Sequence, residues 1–321
     1  MYSRGVTTIH TFMTHKEEQN TSAELSSTLP SYVFFGTSDF SIHTLDTLVK
    51  GGYKPRVLVT VPDKPAGRKL ILTPPPIKVW AEQNSIPCLQ FNKLDQQAVE
   101  ELERVNADIF IVASYGKIIP QRVLDIPKHG CLNIHPSLLP LLRGATPLQT
   151  SILKDMQDTG VTIIKMDAEM DHGPIVATHK EKITPWPLLY TELEHYLAEK
   201  GAELLLSVLP GYVSGDVAPL EQQHEHATYT KKIEKEDGLI SLDMLTGEKA
   251  WNTFLTYNAL YQWPGLYFFV EKNTPEGVQK IRVKIKEAAW NTALSSIELL
   301  KVVPEGKKEM TWKDFQNYIS S

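Results

Sequence analysis

Residues 130–147 read GCLNIHPSLLPLLRGATP. An apolar strand, CLNI, runs into Asn133-x-His135, and the loop beyond is stiffened by Pro136, Pro140 and Pro147. Side chains two apart on a strand share a face, so Asn133 and His135 project together from its end. Polar residues at that place fit a parallel sheet, in which ligands bind beyond the carboxyl ends of strands near the point where strand order reverses.

The flanking sequence supports such a sheet. Short β-rich runs recur as YVFFG (32–36), RVLVTV (56–61), IFIVAS (109–114), CLNI (131–134) and VTIIKM (161–166). Helical patterns separate or follow them at 40–51, 76–84, 96–106, 146–154 and 188–208. Strand and helix in alternation imply right-handed crossovers, and hence an α/β fold with a Rossmann-like, doubly wound, mostly parallel sheet. The first strand–helix turn, FFGTSDF, has Gly36 alone where a dinucleotide site wants G-x-G-x-x-G, so NAD is not expected. After about residue 210 the texture turns polar and rich in Gly and Pro. Beyond it come a helical stretch (246–258), QWPGLYFFV (262–270), KIRVKIKEA (280–288), SIELLKVV (296–303) and a last helix (311–319), which suggest a small β-barrel. The expected division is a disordered tail at 1–31, a catalytic domain at 32–209, a linker at 210–228 and a β-rich domain at 229–321.

Composition narrows the function classes. The chain has 321 residues, 42% apolar and 22% charged, which suits a globular protein with more than one core. Residues 1–226 hold 20 Lys/Arg against 26 Asp/Glu, and residues 227–321 hold 13 against 12, so the C-terminal part is the better place for an anionic partner. Two cysteines, Cys88 and Cys131, lack metal-ligand spacing, which points to a reducing compartment and no structural metal. No apolar run approaches the roughly 18 residues of a membrane span.

Three stretches carry candidate chemistry. In GVTIIKMDAEMDHG (160–173) a strand runs into a turn bearing Asp171, whose carboxylate could orient His135. An Asn donor, a His and an Asp make an oxyanion-stabilising, proton-moving set, and with no G-x-S-x-G elbow nearby, direct transfer between bound substrates fits best. On the residues alone, hydrogen-bonded scaffolding is an equally open reading of Asn133 and His135. VPDKPAGRKL (61–70) reads as a loop that is neither helix nor strand and presents Lys64 and Arg68, either for phosphate or simply to solvent. In KIRVKIK, alternation sends Ile281, Val283 and Ile285 inward and Lys280, Arg282, Lys284 and Lys286 outward, with Lys307 and Lys308 nearby in sequence. Such a face suits a phosphate backbone, or mere solubility.

Together FFGTSDFS, VPDKPAGR, IKVWAE, ASYGKIIP, GCLNIHPSLLPLLRGATPLQTSIL, TGVTIIKMDAEMDHG, WPG and GKKEM resemble, in order from about Tyr32 onward, the methionyl-tRNA branch of the 10-formyltetrahydrofolate-dependent formyltransferase superfamily. The resemblance implies transfer of a formyl group from 10-formyltetrahydrofolate to the α-amino group of methionyl initiator tRNA. It implies catalytic roles for Asn133, His135 and Asp171. A folate pocket is implied along Ser114, Tyr115, Gly116, Ser137, Leu138, Leu139 and Pro140. It also implies tRNA contacts from Lys64 and Arg68, from Arg143 beside the site, and from Lys280, Arg282, Lys284, Lys286, Lys307 and Lys308. A monomer without metal or membrane attachment is expected, in a bacterial cytoplasm or, as the alternative, a mitochondrial or plastid matrix. Other readings are transfer to an amino-sugar nucleotide, or a folate- or RNA-binding module without catalysis. His172 departs from the family's usual turn, and the C-terminal stretch is shorter than the family's barrel.

Overall fold

The computed structural model of the protein describes residues 29–66, 70–275 and 277–320. Its centre is a seven-stranded sheet in the order β5-β2-β1-β6-β7-β8-β9. The strands are β1 (Tyr32–Gly36), β2 (Val57–Thr60), β5 (Cys88–Gln90), β6 (Ile109–Ala113), β7 (Cys131–His135), β8 (Asp158–Lys165) and β9 (Ile175–Lys182). β5 through β7 are parallel, and β8 and β9 close one side antiparallel. β3 (Lys64–Ala66) and β4 (Ile71–Thr73) form a separate hairpin.

Every residue of β1, β6 and β7 is buried. Tyr32, Phe34, Ile109, Ile111, Leu132 and Ile134 enter one apolar cluster and Val33, Phe35, Phe110, Val112 and Cys131 the other. Strands covered on both faces read as continuous apolar runs, which is why these three were visible in the sequence. Helices α1 (Asp39–Lys50), α2 (Pro76–Gln83) and α6 (Tyr190–Ser214) pack into the first cluster, and α3 (Gln96–Val105) and α4 (Gln121–Leu124) into the second. α5 (Pro147–Leu153) joins the first. α6 comes unusually near the sheet, because a Cβ on Gly201 would lie 2.4 Å from Ile134 Cγ2 and 3.1 Å from Val161 Cγ2. A larger residue there would push the helix off the strand that carries Asn133 and His135.

The sheet reverses direction between β1 and β6, and hydroxyls rather than glycines tie the two loops there. Thr37 Oγ1 donates to Tyr115 O (2.6 Å), Ser41 Oγ to Ala113 O (2.6 Å) and Ser38 Oγ to Ser114 Oγ (2.8 Å). β5, β9 and the β3–β4 hairpin were not anticipated; they are short, or carry charged residues on one face.

The C-terminal part has helix α7 (Ala250–Leu260), a four-stranded antiparallel sheet in the order β10-β11-β12-β13, and helix α8 (Trp312–Ser320). Its strands are β10 (Tyr267–Thr274), β11 (Gly277–Asn291), β12 (Ser296–Pro304) and β13 (Met310–Thr311). The abbreviated barrel thus takes the form of an open meander. Among the described residues no helix is long and apolar enough to cross a membrane.

Two boundaries differ from the sequence-based expectation. The linker assigned to 210–228 begins inside α6, which continues through Pro210 to Ser214. The tail assigned to 1–31 lies outside the described residues up to 28, but Ser31 is fastened to the core. Its N–H and Oγ donate to Asp108 Oδ2 (2.8 and 2.6 Å), and Asp108 N donates to Ser31 O (2.8 Å). The Ser31 hydroxyl, and then its N–H, hold the Asp108 carboxyl below the usual carboxylate range. A carboxyl with a depressed folded pKa stabilises above its unfolded value of about 4 and loses that contribution as pH falls through the folded one. We therefore expect Asp108→Asn to lower the unfolding free energy by about 1 kcal/mol at pH 7, a modest figure because the group is half-exposed. Urea titrations at pH 7, 5 and 3 should show the gap from wild type shrinking below about pH 4.

Candidate active site

β7 lies between β6 and β8, with Asn133 opposite Val112 on one side and Ile164 on the other, and His135 opposite Thr162. Asn133 and His135 are 9% and 4% exposed. Asp171, in the turn joining β8 to β9, completes the group. Its Oδ1 lies 3.3 Å from Asn133 Nδ2 and 3.5 Å from His135 Nδ1. Its Oδ2 accepts the Gly144 N–H at 2.8 Å. His135 Nε2 sits 3.0 Å from Leu142 O, and a carbonyl oxygen only accepts, so Nε2 carries a proton. The other ring nitrogen faces the carboxylate across a long contact.

The loop after β7 is held from inside. Ser137 Oγ donates to Leu141 O (2.6 Å), Leu139 N donates to Thr162 Oγ1 (3.1 Å), and Thr162 Oγ1 donates to Ser137 O (2.7 Å). Of the other expected pocket residues, Ser114 and Gly116 are exposed with positive φ (52° and 73°), whereas the Tyr115 ring is buried edge-on to Phe35. Burial pushes the Tyr115 hydroxyl up to about 12. The 114–116 and 137–140 loops therefore meet at the carboxyl ends of adjacent strands, and they offer mostly backbone. Pro140 and Leu138 are half-buried there and Leu139 is buried.

Cys131 shares the strand face of Asn133 and His135, two residues deeper. Burial raises its thiol well above the ordinary range, and raises Cys88 to about 11, so neither is a ready thiolate nucleophile. Among the described residues no group of three or more His, Cys, Asp or Glu side chains could hold a metal ion.

Arg143 requires a correction. Expected to meet tRNA, it is turned inward and 2% exposed. Its Nη2 donates to Gln222 Oε1 (2.6 Å) and to His224 Nδ1 (2.9 Å), its Nε to Gln222 Oε1 (3.2 Å) and its Nη1 to Tyr229 Oη (3.4 Å). A fully used, buried guanidinium is not available to a polyanion.

Those partners lie in the stretch assigned to the linker, which returns across the site as a strap. Arg143 N donates to Thr228 O (2.8 Å), Thr230 N to Arg143 O (2.8 Å), Leu142 N to Thr228 Oγ1 (2.8 Å) and Thr146 Oγ1 to Lys231 O (2.7 Å). His172 stacks on His224, with ring centroids 4.1 Å apart and planes 7° apart, and its Nδ1 lies 2.7 Å from Asp167 Oδ2. Sequence reasoning missed Gln222 and the strap because isolated polar residues in an aperiodic stretch leave no pattern. The adjacent Arg143-Gly144 pair was the only local signal.

The remaining cations fall into two places. Lys64 is exposed on the β3–β4 hairpin, so the stretch expected to be neither helix nor strand is a short ribbon; Arg68 lies outside the described residues. On β11 the expected alternation holds, with Ile281, Val283 and Ile285 buried and Lys280 and Lys286 exposed. Arg282 lies over the Tyr267 ring (4.0 Å) and Lys280 over Phe269 (4.6 Å). Burial, then Arg282, Lys286 and Lys235, pull Lys284 below the usual lysine range. Lys307 and Lys308 are exposed in the turn after β12.

A doubly wound sheet with an Asn, a His and an Asp gathered at its open end defines a group-transfer site of the acyl type. Residues 31–209 match the family described as Formyl transferase. The methionyl-tRNA formyltransferase of Bacillus velezensis is 35% identical over 299 residues, covering 88% of this chain and 93% of that protein. The fold is also that of a methionyl-tRNA formyltransferase from Clostridium thermocellum (TM-score 0.53, 15% identity, 85% of this chain and 99% of that one). It is shared as well by HypX from Aquifex aeolicus in complex with tetrahydrofolic acid (TM-score 0.63, 15% identity, 90% of this chain and 47% of that one). The chain belongs to the formyl transferase family.

Gly144 is where strap and site are tightest. Its φ is +112°, which disfavours any Cβ, and a Cβ there would lie 2.7 Å from Thr230 Oγ1. Gly144→Ala should cost about 1–3 kcal/mol in urea unfolding. It should also loosen the N–H that holds Asp171.

Proposed function

We propose that this protein transfers a formyl group from 10-formyltetrahydrofolate to the α-amino group of methionine on initiator tRNA. The observation that carries this reading is the convergence of Asn133, His135 and Asp171 at the carboxyl end of β7. The folate lies along the 114–116 and 137–140 loops, whose backbone groups read its pterin. The neutral amine attacks the formyl carbon, and a C–N bond forms as the carbonyl opens to an oxyanion. Asn133 Nδ2–H and His135 Nδ1–H donate to that oxygen; the 3.5 Å separation from Asp171 leaves the Nδ1 proton free to turn toward it. Collapse restores the carbonyl and expels N10 of tetrahydrofolate. The proton given up by the amine ends on N10, passing through the His135–Asp171 pair. Atoms and charge balance without a metal or an enzyme-bound intermediate.

Acceptor recognition falls to the cations that remain at the surface. Lys64, with Arg68, reaches the acceptor end from the β3–β4 hairpin. Lys280, Arg282, Lys284, Lys286, Lys307 and Lys308 meet the phosphate backbone from the second sheet, where Tyr267 and Phe269 brace two of the cations. The reading carries with it a monomeric enzyme of the bacterial cytoplasm.

Two measurements test it. Asn133→Ala and His135→Ala should each lower kcat about 10²–10³-fold, the usual loss of an oxyanion donor, with KM for 10-formyltetrahydrofolate nearly unchanged. An amino-sugar nucleotide supplied in parallel should stay unformylated; a formylated sugar with untouched tRNA would overturn the acceptor. For the second sheet, Lys280→Ala and Lys286→Ala should weaken tRNA binding and each reduce the slope of log K against log salt by about 1. An unchanged slope would remove this face from the interface.

A further inference from the structure

Gln222 is 5% exposed and belongs to the strap, yet its amide reaches into the catalytic turn. Its Nε2 donates to Asp171 O (2.9 Å) and Gly173 O (2.7 Å), and its Oε1 accepts from Arg143 Nη2 (2.6 Å) and Nε (3.2 Å). One side of the amide thus faces only carbonyl acceptors and the other only guanidinium donors. The amide has a single orientation and every donor and acceptor position is used.

The turn it grips needs holding. Asp171 has φ +52°, in the left-handed region that side chains with a Cβ avoid, and that conformation swings its carboxylate back to Asn133, His135 and Gly144 N. Arg143, behind the amide, is buried with neutral partners, and among the described residues no carboxylate lies within ion-pair distance of it. In a low-dielectric setting an unneutralised guanidinium polarises the amide whose oxygen it holds, which strengthens the two N–H donors on the far side.

We propose that Gln222, backed by Arg143, is a positioning residue for formyl transfer: it pins the Asp171 backbone so that the carboxylate meets His135 and Asn133. The proposal rests on the formyl-transfer reading above for its kinetic consequence, but not for its structural one. It assigns to the segment beyond the family match a part in the chemistry that no contact with substrate would reveal.

The test uses full-length Gln222→Met, which keeps shape and loses both sets of bonds, and Gln222→Glu, which keeps an acceptor for Arg143 but sets oxygen against the two carbonyls. Amide exchange is followed at Gly144, whose N–H is given to Asp171 Oδ2. Protection there should fall about 10-fold in both variants, with β1 and β6 amides unchanged. kcat should fall about 10–100-fold with KM for folate and tRNA within about 2-fold, as expected for a misplaced group rather than lost binding. In an Asp171→Ala background, Gln222→Met should cost nothing further, because both changes remove one function. Unchanged Gly144 protection, losses that add in the double variant, or an effect carried by KM would each overturn the proposal. If wild type forms no formyl-methionyl-tRNA, the reading of the substrate fails, while the Gly144 exchange still decides the clamp. Should Gln222→Met not fold, Gln222→Glu, which keeps the Arg143 partner, carries the same readouts.

Discussion

The central strands are buried on both faces, and that constraint shapes the rest of the molecule. A chain that fills β1, β6 and β7 with apolar side chains on either side can place polar ones only where those strands end. The carboxyl ends of β6 and β7 are also where strand direction reverses and helices diverge, so loops there have room. Asn133 and His135 occupy the last positions of β7 at which backbone pairing still fixes the side-chain direction. Precision comes from the strand, and access from its termination.

A site built this way needs its third member brought from elsewhere, and the antiparallel pair β8–β9 supplies it. The turn between them doubles back beside β7 and carries Asp171 to the two strand residues. The arrangement sets an acceptor against donors in a dry setting, where each hydrogen bond is stronger and each orphan costlier than in water. Buried Arg143 obeys the same rule. Its cost of burial is met by the amide of Gln222, the ring of His224 and the hydroxyl of Tyr229 rather than by a carboxylate.

These physical facts decide how much of the molecule was legible in the sequence. Strands covered on both faces announce themselves as apolar runs, and β1, β6 and β7 were placed within a residue of their observed ends. The alternation of β11 was as plain, because one face is apolar and the other cationic. Asn133 and His135 were legible as an interruption of apolar pattern at a strand end, and Asp171 as an acid in the turn after the next strand. Arg143 was misjudged because charge alone says nothing of direction; whether an arginine faces solvent or core depends on acceptors eighty residues away. Gln222 was invisible for the same reason. Strand β9, with His179, Lys180, Glu181 and Lys182, hid its edge position behind charge.

The strap formed by residues 222–231 has a consequence for how the two halves of the chain relate. The family match ends at residue 209, but the acceptors of Arg143 and the grip on Asp171 come from beyond it. The first half is therefore not a cassette that evolution can cut out and fuse to a new recognition module at will. Any exchange of the C-terminal sheet has to keep the strap or replace its hydrogen bonds, so the choice of acceptor and the upkeep of the catalytic turn are inherited together.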